Sequence, residues 1–335
     1  MSTLEITHCP GTLSTGFNTY SRTCLNKLFN GKKVSHILPY DPPQISEEDA
    51  AKFIENRKRL SISGVQEKLS LLLDKNKLRL TQLGEQGSYI LKPIPRDIKK
   101  ADQVPANEHL TMQIAKQVYG IPTAENALIF FKNGDPAYIT KRFDVQIDGK
   151  KLGEEDFASL AAKTAENAGE GFKYAYSYQE IAELIVKYIP AHVVEMEKFY
   201  RLVIFNYLFS NGDAHLKNFS VLQTENGDYI LSPAYDLINT SLHVNDSDFA
   251  LKEGLFKGYF FSDEMEKNGR VGLEDFQEFA KRLNISENRR AKLLAPFLKP
   301  QEAVISFIER SYLNEATKQE YLSSYHIKRQ QLNTK

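Results

Sequence analysis

A long apolar segment that runs directly into a polar loop is the feature that most constrains the fold of this chain. Residues 193–209 are apolar on nearly every side, which predicts a buried helix. The next residues, 210–218, read Ser-Asn-Gly-Asp-Ala-His-Leu-Lys-Asn. A buried helix that ends in such a loop delivers polar side chains into the interior, where each of them needs a partner or a function.

The chain then turns back towards this loop. Residues 219–231 contain two apolar runs around Asn226 and Gly227, which predict a β-hairpin. Beyond it lies Asp236, which the hairpin would bring beside Asp213. Because Asn, Gly and Asp also dominate ordinary turns, a plain surface turn is the alternative interpretation. The buried helix before the loop favours an interior site.

The polar residues of this region have the order found in the catalytic loop of protein kinases, where a base Asp stands five positions before a metal-binding Asn and a second metal-binding Asp follows. We therefore interpret Asp213 as the base that orients an attacking hydroxyl. Asn218 and Asp236 would hold Mg²⁺, which prefers hard oxygen ligands. His215 and Lys217 would meet charge that develops on the transferred group, or would fix the loop.

A lysine suited to nucleotide phosphates lies upstream. Residues 88–93 predict a short strand that ends at Lys92, from which a cation can reach the phosphates. A solvated charge at a sheet edge is the alternative. A helix is expected to open at Asn107, and Glu108 in its first turn is a candidate partner for Lys92, although an acidic residue there also complements the helix dipole.

Residues 61–68 precede another predicted strand, at 69–73, and contain a single glycine. This is a weak phosphate-loop pattern, in which Gly64 and Lys68 are the candidate nucleotide contacts. A strand is also expected at 137–144. The aromatic segment 172–178 is interpreted as packing.

These motifs together resemble the HipA family of bacterial toxin kinases over roughly residues 55–245. The motifs that carry the resemblance are Ser61-x-Ser63-Gly64-x-Gln66-Glu67-Lys68, Ile90-Leu-Lys92-Pro93, Asn107-Glu108, Thr140-Lys-Arg142-Phe143-Asp144, Asn211-Gly-Asp213-x-His215-x-Lys217-Asn218-Phe219 and Pro233-x-Tyr-Asp236. The resemblance implies an α+β, two-lobed protein-kinase-like fold with a small mixed N-lobe and a mainly helical C-lobe. It also implies a serine/threonine kinase that uses ATP and Mg²⁺ and acts as a toxin within a toxin–antitoxin system.

The resemblance further implies control by autophosphorylation. Ser61 falls where the family's autophosphorylated loop serine lies, and Ser63 is a second candidate. A phosphoserine adds nearly two negative charges. Beside the phosphates of the nucleotide, these charges would repel it and release the loop around Gly64.

Only some sixty residues precede the Ser-x-Ser-Gly motif, a layout that is similar to the short HipT form of the family. That form implies a HipS-like small antitoxin subunit and a HipB-like DNA-binding protein as partners, with DNA reached only through the latter. The expected substrate is an aminoacyl-tRNA synthetase, and the HipT resemblance implies tryptophanyl-tRNA synthetase.

The composition agrees with this interpretation. With 43 basic and 43 acidic residues, the chain has no net charge that would draw it to nucleic acid. It has no apolar run of the roughly 18 residues that a membrane helix needs, and no secretion signal is visible, so cytoplasmic localisation is expected. We expect an N-terminal segment at 1–55 packed on the N-lobe, an N-lobe at 56–144 and a C-lobe at 145–335.

Cys9 and Cys24 are too few for a disulfide scaffold. With His8 they lack the four ligands of a zinc module, so free buried thiols are expected. Two other functions remain open for the whole chain: a catalytically weak scaffold within an antitoxin complex, and a small-molecule phosphotransferase. The complete set of polar motif residues argues against the first, and the Ser-x-Ser-Gly loop argues against the second.

Overall fold

The computed structural model describes residues 6–42 and 66–333. Ser61, Ser63 and Gly64, three of the sequence-predicted site residues, lie outside the described residues. Within the described ranges, no helix combines the length and the apolar character that crossing a membrane requires.

The N-terminal part of the fold is built on an antiparallel sheet of five strands. These are β1 (Leu69–Asp74), β2 (Lys77–Leu80), β3 (Tyr89–Lys92), β4 (Asn126–Phe130) and β5 (Pro136–Lys141), in the spatial order β2-β1-β3-β5-β4. The strands predicted at 69–73, 88–93 and 137–144 are therefore confirmed, with the last ending at Lys141. Because β3 is the central strand, Lys92 lies opposite Tyr138 of β5 and not at a sheet edge.

One face of this sheet is covered by the N-terminal segment. Helix α1 (Arg22–Phe29) is capped by Ser21, whose hydroxyl accepts the Cys24 N–H. Leu28 and Phe29 of this helix are buried in a small core that includes Ala127 of β4. Burial of these side chains holds residues before position 42 against the sheet.

The opposite face of the sheet is covered by α2 (Val104–Gln117), which begins earlier than the predicted start at Asn107. The physical reason is Pro105, which suits a first helical turn because its missing N–H has no partner there in any case. Glu108 consequently lies one turn inside the helix and is buried, so it does not act as an exposed complement to the helix dipole.

The C-terminal part is mainly helical. Its helices are α3 (Phe157–Leu160), α4 (Ala165–Ala168), α5 (Tyr178–Tyr188), α6 (His192–Leu208), α7 (Asp263–Asn268), α8 (Leu273–Arg282), α9 (Glu287–Leu298), α10 (Glu302–Glu309) and α11 (Glu315–Asn333). A small sheet is formed by β6 (Glu154–Asp156), β7 (Ser220–Gln223) and β8 (Tyr229–Leu231). The β7–β8 pair is the predicted hairpin, while the acidic sequence of β6 gave no strand pattern.

Helix α6 confirms the predicted buried helix, with one correction. Val193 and Val194 are 70% and 57% exposed, so the helix is not buried in its first turn. From Met196 onwards it packs among α5, α9 and α11, and Phe205 is fully buried. The end that precedes the polar loop is therefore the buried one.

A buried polar junction ties α2 to the C-terminal helices. The Asn107 amide donates to the carbonyl of Asn239 at 2.8 Å and accepts the Asn239 N–H at 3.2 Å. One turn later, the Thr111 hydroxyl lies 2.8 Å from the Tyr321 hydroxyl of α11. Since Asn239 follows Asp236 by three residues, this junction fixes α2 relative to the segment that carries Asp236.

We predict that Asn107→Leu destabilises the protein. The change leaves the Asn239 N–H and C=O buried without partners, and an unsatisfied buried group costs about 1–3 kcal/mol. Urea unfolding would measure the difference in the free energy of unfolding. The control is Asn226→Leu in the exposed hairpin turn, which makes the same chemical change at the surface and should shift the free energy by less than about 0.5 kcal/mol. Equal losses in both variants would contradict the prediction.

Candidate active site

A cleft of about 560 Å³ opens between the five-stranded sheet and the small sheet of the helical part. Its walls carry many cations and carboxylates, among them Lys68, Lys92, Lys173, Lys217, Asp156 and Asp236. Ile90, Ala124 and Phe143 give one region of the wall an apolar character. A cleft that combines an apolar wall with convergent cations suits a ligand with a flat ring at one end and phosphates at the other.

Lys92 is the buried centre of this cleft. Its Nζ lies 2.6 Å from Glu108 Oε1 and also contacts Asp236 Oδ1. Burial alone would lower the pKa of Lys92, but Asp236 and Glu108 outweigh that effect and hold the pKa above its ordinary value. Lys92 is therefore a permanent cation in the interior, and the solvated-edge interpretation is excluded because only 4% of the residue is exposed.

Its two carboxylate partners differ in their electrostatics. Burial tends to raise the pKa of Asp236, but Lys92 and Lys68 reverse this effect and hold the pKa well below its usual range. Burial raises the pKa of Glu108 to about 7, against the opposing attraction of Lys92. Asp236 is thus the carboxylate that stays charged under all ordinary conditions.

Asp236 is held at a junction of several groups. Its Oδ2 lies 3.5 Å from Lys68 Nζ and 3.4 Å from the Asn218 Nδ2. The backbone of Asp236 has a φ of 55°, in the left-handed region that is uncommon for residues other than Gly. Such a conformation persists where the surroundings fix it, and it is often found at functional sites.

The loop that carries Asp213 is fixed by close packing. Gly212 donates its N–H to the Thr240 hydroxyl at 2.9 Å. A Cβ at Gly212 would lie 2.5 Å from the Asp246 Cβ and 2.6 Å from the Ser247 carbonyl oxygen, so only glycine fits. Asp213 itself is 7% exposed.

The side chain of Asp213 has two aromatic neighbours. The Tyr174 hydroxyl donates to Asp213 Oδ1 at 3.2 Å, and His215 Nε2 lies 3.9 Å from the same oxygen. Burial lowers the pKa of His215 to about 3, so its ring is neutral near pH 7. His215 therefore does not supply a positive charge. Its backbone N–H instead lies 3.3 Å from Asn218 Oδ1, which fits the other expected role of fixing the loop.

Lys217 takes a different position from His215. Its Nζ lies 3.8 Å from Asp156 Oδ2, and its side chain is 48% exposed at the cleft wall. His215 and Lys217 were the two residues expected to stabilise negative charge on the transferred group. Of these, Lys217 is the cation that is open to the cleft.

Asn218 and Asp236 fit a Mg²⁺ ion by the chemistry of their donors. Both residues line the cleft, and Asp236 carries two carboxylate oxygens; the Asn218 amide directs its Nδ2 to Asp236 Oδ2 and its Oδ1 to the His215 N–H. Mg²⁺ is typically held by one or two carboxylates together with water and phosphate oxygens, and does not need a protein cage. Among the described residues, no three or more His, Cys, Asp and Glu side chains are grouped so that they could hold a metal ion.

Tyr174 and Asp156 are site residues that the sequence reasoning did not identify. Tyr174 lies in the 3₁₀ helix Phe172–Tyr174, within the aromatic segment interpreted as packing. That interpretation holds for Phe172 and Tyr176, which pack against the main core, but the Tyr174 hydroxyl reaches Asp213. The sequence did contain one indication of this contact, because the hydroxyl of a buried tyrosine usually forms a hydrogen bond.

Comparison with known protein families gives a match over most of the chain. The model of the HipA-like C-terminal domain matches residues 60–304. A putative kinase of Haemophilus influenzae is 28% identical over 313 residues, which cover 88% of this chain and 87% of the relative. The putative kinase Y4dM of Sinorhizobium fredii is 30% identical over 63% of this chain. The serine/threonine-protein kinase toxin HipA of Shewanella oneidensis is 26% identical over 56% of it. The chain spans about half the length of these last two relatives, 52% and 45%.

Solved structures show the same fold. A chain from the complex of HipA, HipB and operator DNA of Shewanella oneidensis aligns over 88% of this chain and 73% of its own length, with a TM-score of 0.61 and 20% identity. The proinflammatory kinase CtkA of Helicobacter pylori aligns over 78% of this chain and 93% of its own, with a TM-score of 0.50 and 15% identity. The expected kinase-like α+β fold is therefore confirmed. From the match over residues 60–304, the chain belongs to the family of proteins with a HipA-like C-terminal domain.

Proposed function

We propose that this chain is an ATP-dependent serine/threonine-protein kinase that serves as the toxin of a toxin–antitoxin system. One observation carries the proposal: Lys92 contacts both Glu108 and Asp236 on the wall of a cleft that Asn218 also lines. These residues come from a strand, an α-helix, a 3₁₀ helix and a loop, and their proximity in the cleft matches what phosphoryl transfer needs.

In the proposed reaction, Lys92 binds phosphate oxygens of ATP and Asp213 accepts the proton of the attacking hydroxyl. Tyr174 orients the Asp213 carboxylate by its hydrogen bond of 3.2 Å. Mg²⁺, when held by Asn218 and Asp236, supplies positive charge against the phosphates. Lys217, at the open cleft wall, is placed to meet charge on the transferred group.

Gln66 and Lys68, which follow the two serines in the sequence, lie at this site. Gln66 is buried and donates to the carbonyl of Pro93 at 3.1 Å, directly after Lys92. Lys68 lies 3.5 Å from Asp236. Ser61 and Ser63 precede Gln66 by only a few residues, and each residue spans at most about 3.6 Å. We propose that Gly64 approaches the nucleotide and that Ser61 or Ser63 is autophosphorylated.

The proposed partners and substrate follow from the family. The HipA relative in the solved complex is accompanied by HipB and operator DNA, which supports a HipB-like partner through which this chain would meet DNA. A HipS-like antitoxin subunit is proposed as a second partner. The proposed substrate is an aminoacyl-tRNA synthetase, specifically tryptophanyl-tRNA synthetase, whose phosphorylation would halt translation and growth.

We predict that Asp213→Asn abolishes phosphoryl transfer, because an amide cannot accept the proton of the hydroxyl. Purified chain would be incubated with ATP, Mg²⁺ and tryptophanyl-tRNA synthetase, and both proteins would be weighed by intact-mass spectrometry. The rate should fall by at least about a hundredfold, the usual contribution of a general base. Asp228→Asn, in the exposed hairpin turn, is the matched control and should remain active.

Retained transfer in Asp213→Asn would exclude the proposed mechanism. Consumption of ATP without phosphate on either protein would instead favour a small-molecule phosphotransferase. A native chain that neither binds nor consumes ATP would favour the scaffold.

Phosphopeptide mapping of the native chain is predicted to find phosphate on Ser61 or Ser63. If Ser61 is the regulatory serine, Ser61→Asp should weaken ATP binding in calorimetry, because an added negative charge repels the nucleotide phosphates. Ser61→Asn, of similar size but neutral, is the control and should bind ATP nearly as well as the native chain. Unchanged affinity in Ser61→Asp would count against electrostatic self-inhibition at this serine.

The neutral His215 predicts a particular dependence of stability on pH. The folded pKa of about 3 lies below the ordinary 6.5, so between these values the unfolded chain binds a proton that the folded chain does not. The contribution of His215 to the free energy of unfolding is therefore fully present above pH 6.5. It falls as the pH drops below this value, by up to about 1.4 kcal/mol per pH unit. Urea unfolding at pH 5 and pH 7.5 should show a smaller acid loss for His215→Asn than for the native chain. An equal acid loss would contradict a neutral, buried His215.

A further inference from the structure

A buried histidine extends the polar junction between α2 and the segment that carries Asp236. His243 is 2% exposed and follows the 3₁₀ helix Thr240–Leu242. Its Nδ1 lies 2.9 Å from the carbonyl oxygen of Lys99, and its Nε2 lies 2.9 Å from the side-chain nitrogen of Asn107. Both ring nitrogens therefore have a polar partner. The Lys99 carbonyl can only accept a hydrogen bond, and the Asn107 nitrogen can only donate one.

The orientation of the Asn107 amide is fixed by Asn239. Its Nδ2 donates to the Asn239 carbonyl and its Oδ1 accepts the Asn239 N–H, so a flipped amide would place donor against donor and acceptor against acceptor. The second hydrogen of Nδ2 is available to His243 Nε2, which must accept it. Since the Lys99 carbonyl needs a donor, the ring hydrogen lies on Nδ1. The hydrogen bonds thus define one tautomer of a neutral imidazole.

A protonated ring cannot keep the same contacts. The imidazolium carries a hydrogen on both nitrogens, so its Nε2–H would face the Asn107 Nδ2 hydrogens across 2.9 Å. Turning the Asn107 amide over would give His243 an acceptor, but both hydrogen bonds to Asn239 would then be lost. Protonation of His243 therefore breaks the junction on one side of Asn107 or on the other.

The surroundings of the ring keep it neutral near pH 7. Burial lowers the pKa of His243 below its ordinary value of 6.5, and its hydrogen bond to a backbone carbonyl opposes this shift. Lys100 lowers the pKa further and Asp102 raises it, so charges of opposite sign act on the ring from the segment before α2. Lys100 is itself paired with Glu320 of α11. The ring therefore gains its second hydrogen only in acid.

Three other titratable groups border the junction. Tyr321 of α11 is neutral, because burial raises its pKa. Asp246 hydrogen-bonds to Thr240, and burial raises the pKa of this carboxyl. Glu108 directs its carboxylate to Lys92 in the cleft. Asp246 and Glu108 can gain protons in acid, so their titration has to be separated from that of the histidine.

We propose that His243 is an acid-sensitive switch: its neutral ring holds α2 to the segment that contains Asn239, and its protonation releases this contact. One proton is taken up, and no covalent bond changes. Asn107 is followed in α2 by Glu108, and Asn239 follows Asp236 by three residues. Release of the junction therefore loosens the attachment of both carboxylates of the cleft. The switch is a property of the packing of α2 and does not rest on the proposed kinase activity.

The test uses the native, full-length chain labelled with ¹⁵N. NMR spectra of the imidazole rings at pH 7.5 should show the His243 hydrogen on Nδ1. The ring is then titrated from pH 8 to pH 4.5, while hydrogen exchange of the Asn239 amide is measured and corrected for the intrinsic effect of pH. As His243 gains its proton, the protection of this amide should fall by about tenfold, which corresponds to the loss of one or two hydrogen bonds. The Leu128 amide, which donates to the Pro10 carbonyl, is the internal control and should keep its protection.

Two variants assign the response to His243. His243→Gln places a neutral amide at this position at every pH, so the Asn239 amide should keep its protection in acid. Glu108 and Asp246 are still present in this variant, so their titration would show as a remaining acid response. Asp246→Asn is the matched control, in which the tenfold loss should persist. If His243→Gln does not fold, the titration of the native chain decides.

A His243 hydrogen on Nε2 at pH 7.5, or a ring that stays neutral down to pH 4.5, would overturn the proposal. So would an Asn239 amide whose protection does not follow the titration of the ring, or an equal acid loss in His243→Gln. No measurement uses phosphoryl transfer, so these outcomes are independent of whether the chain is a kinase.

Discussion

The site depends on one buried cation that two carboxylates share. Lys92 occupies the central strand of the sheet, and its contacts with Glu108 and Asp236 join α2 to the loop after the small sheet. Removing one member of such a buried set is strongly destabilising, since it leaves an uncompensated charge, whereas the complete set contributes little net stability. The arrangement is therefore better explained by what it positions than by the stability it adds.

Helix α2 contacts both the N-terminal and the C-terminal part of the molecule. One face supplies Glu108 to the cleft, Asn107 and Thr111 bind the C-terminal part, and His109 contacts the N-terminal segment. All residues from Val104 to Ala115 are buried, so every face of the helix has a neighbour. A displacement of this helix by any one neighbour must change its contacts with the others, because closely packed interiors transmit strain.

Much of this architecture could be predicted from local sequence patterns. Helix α6 and the β7–β8 hairpin follow from apolar periodicity and an Asn-Gly turn, and the return of the chain after this hairpin brings Asp236 beside Asn218. Strand β6 could not be predicted, because its acidic residues pair with β7 only through tertiary context.

The charge states of the site residues also could not be predicted from the sequence. The residue type of His215 suggests a cation, and only its burial shows that the ring is neutral. The contact of Tyr174 with Asp213 could not be predicted for a similar reason, because the sequence of an aromatic segment does not show the direction of one hydroxyl group. Both features depend on the tertiary environment of the residue, which sequence spacing does not encode.

The left-handed backbone at Asp236 has a consequence for how this position can vary among related chains. The conformation is accessible to Gly, Asn and Asp far more easily than to residues with longer side chains. A glutamate would keep the charge but would have to adopt an unfavourable backbone, while an asparagine would keep the backbone but lose the charge that Lys92 requires. Position 236 is therefore restricted both by the charge that Lys92 requires and by the backbone conformation, and aspartate suits both.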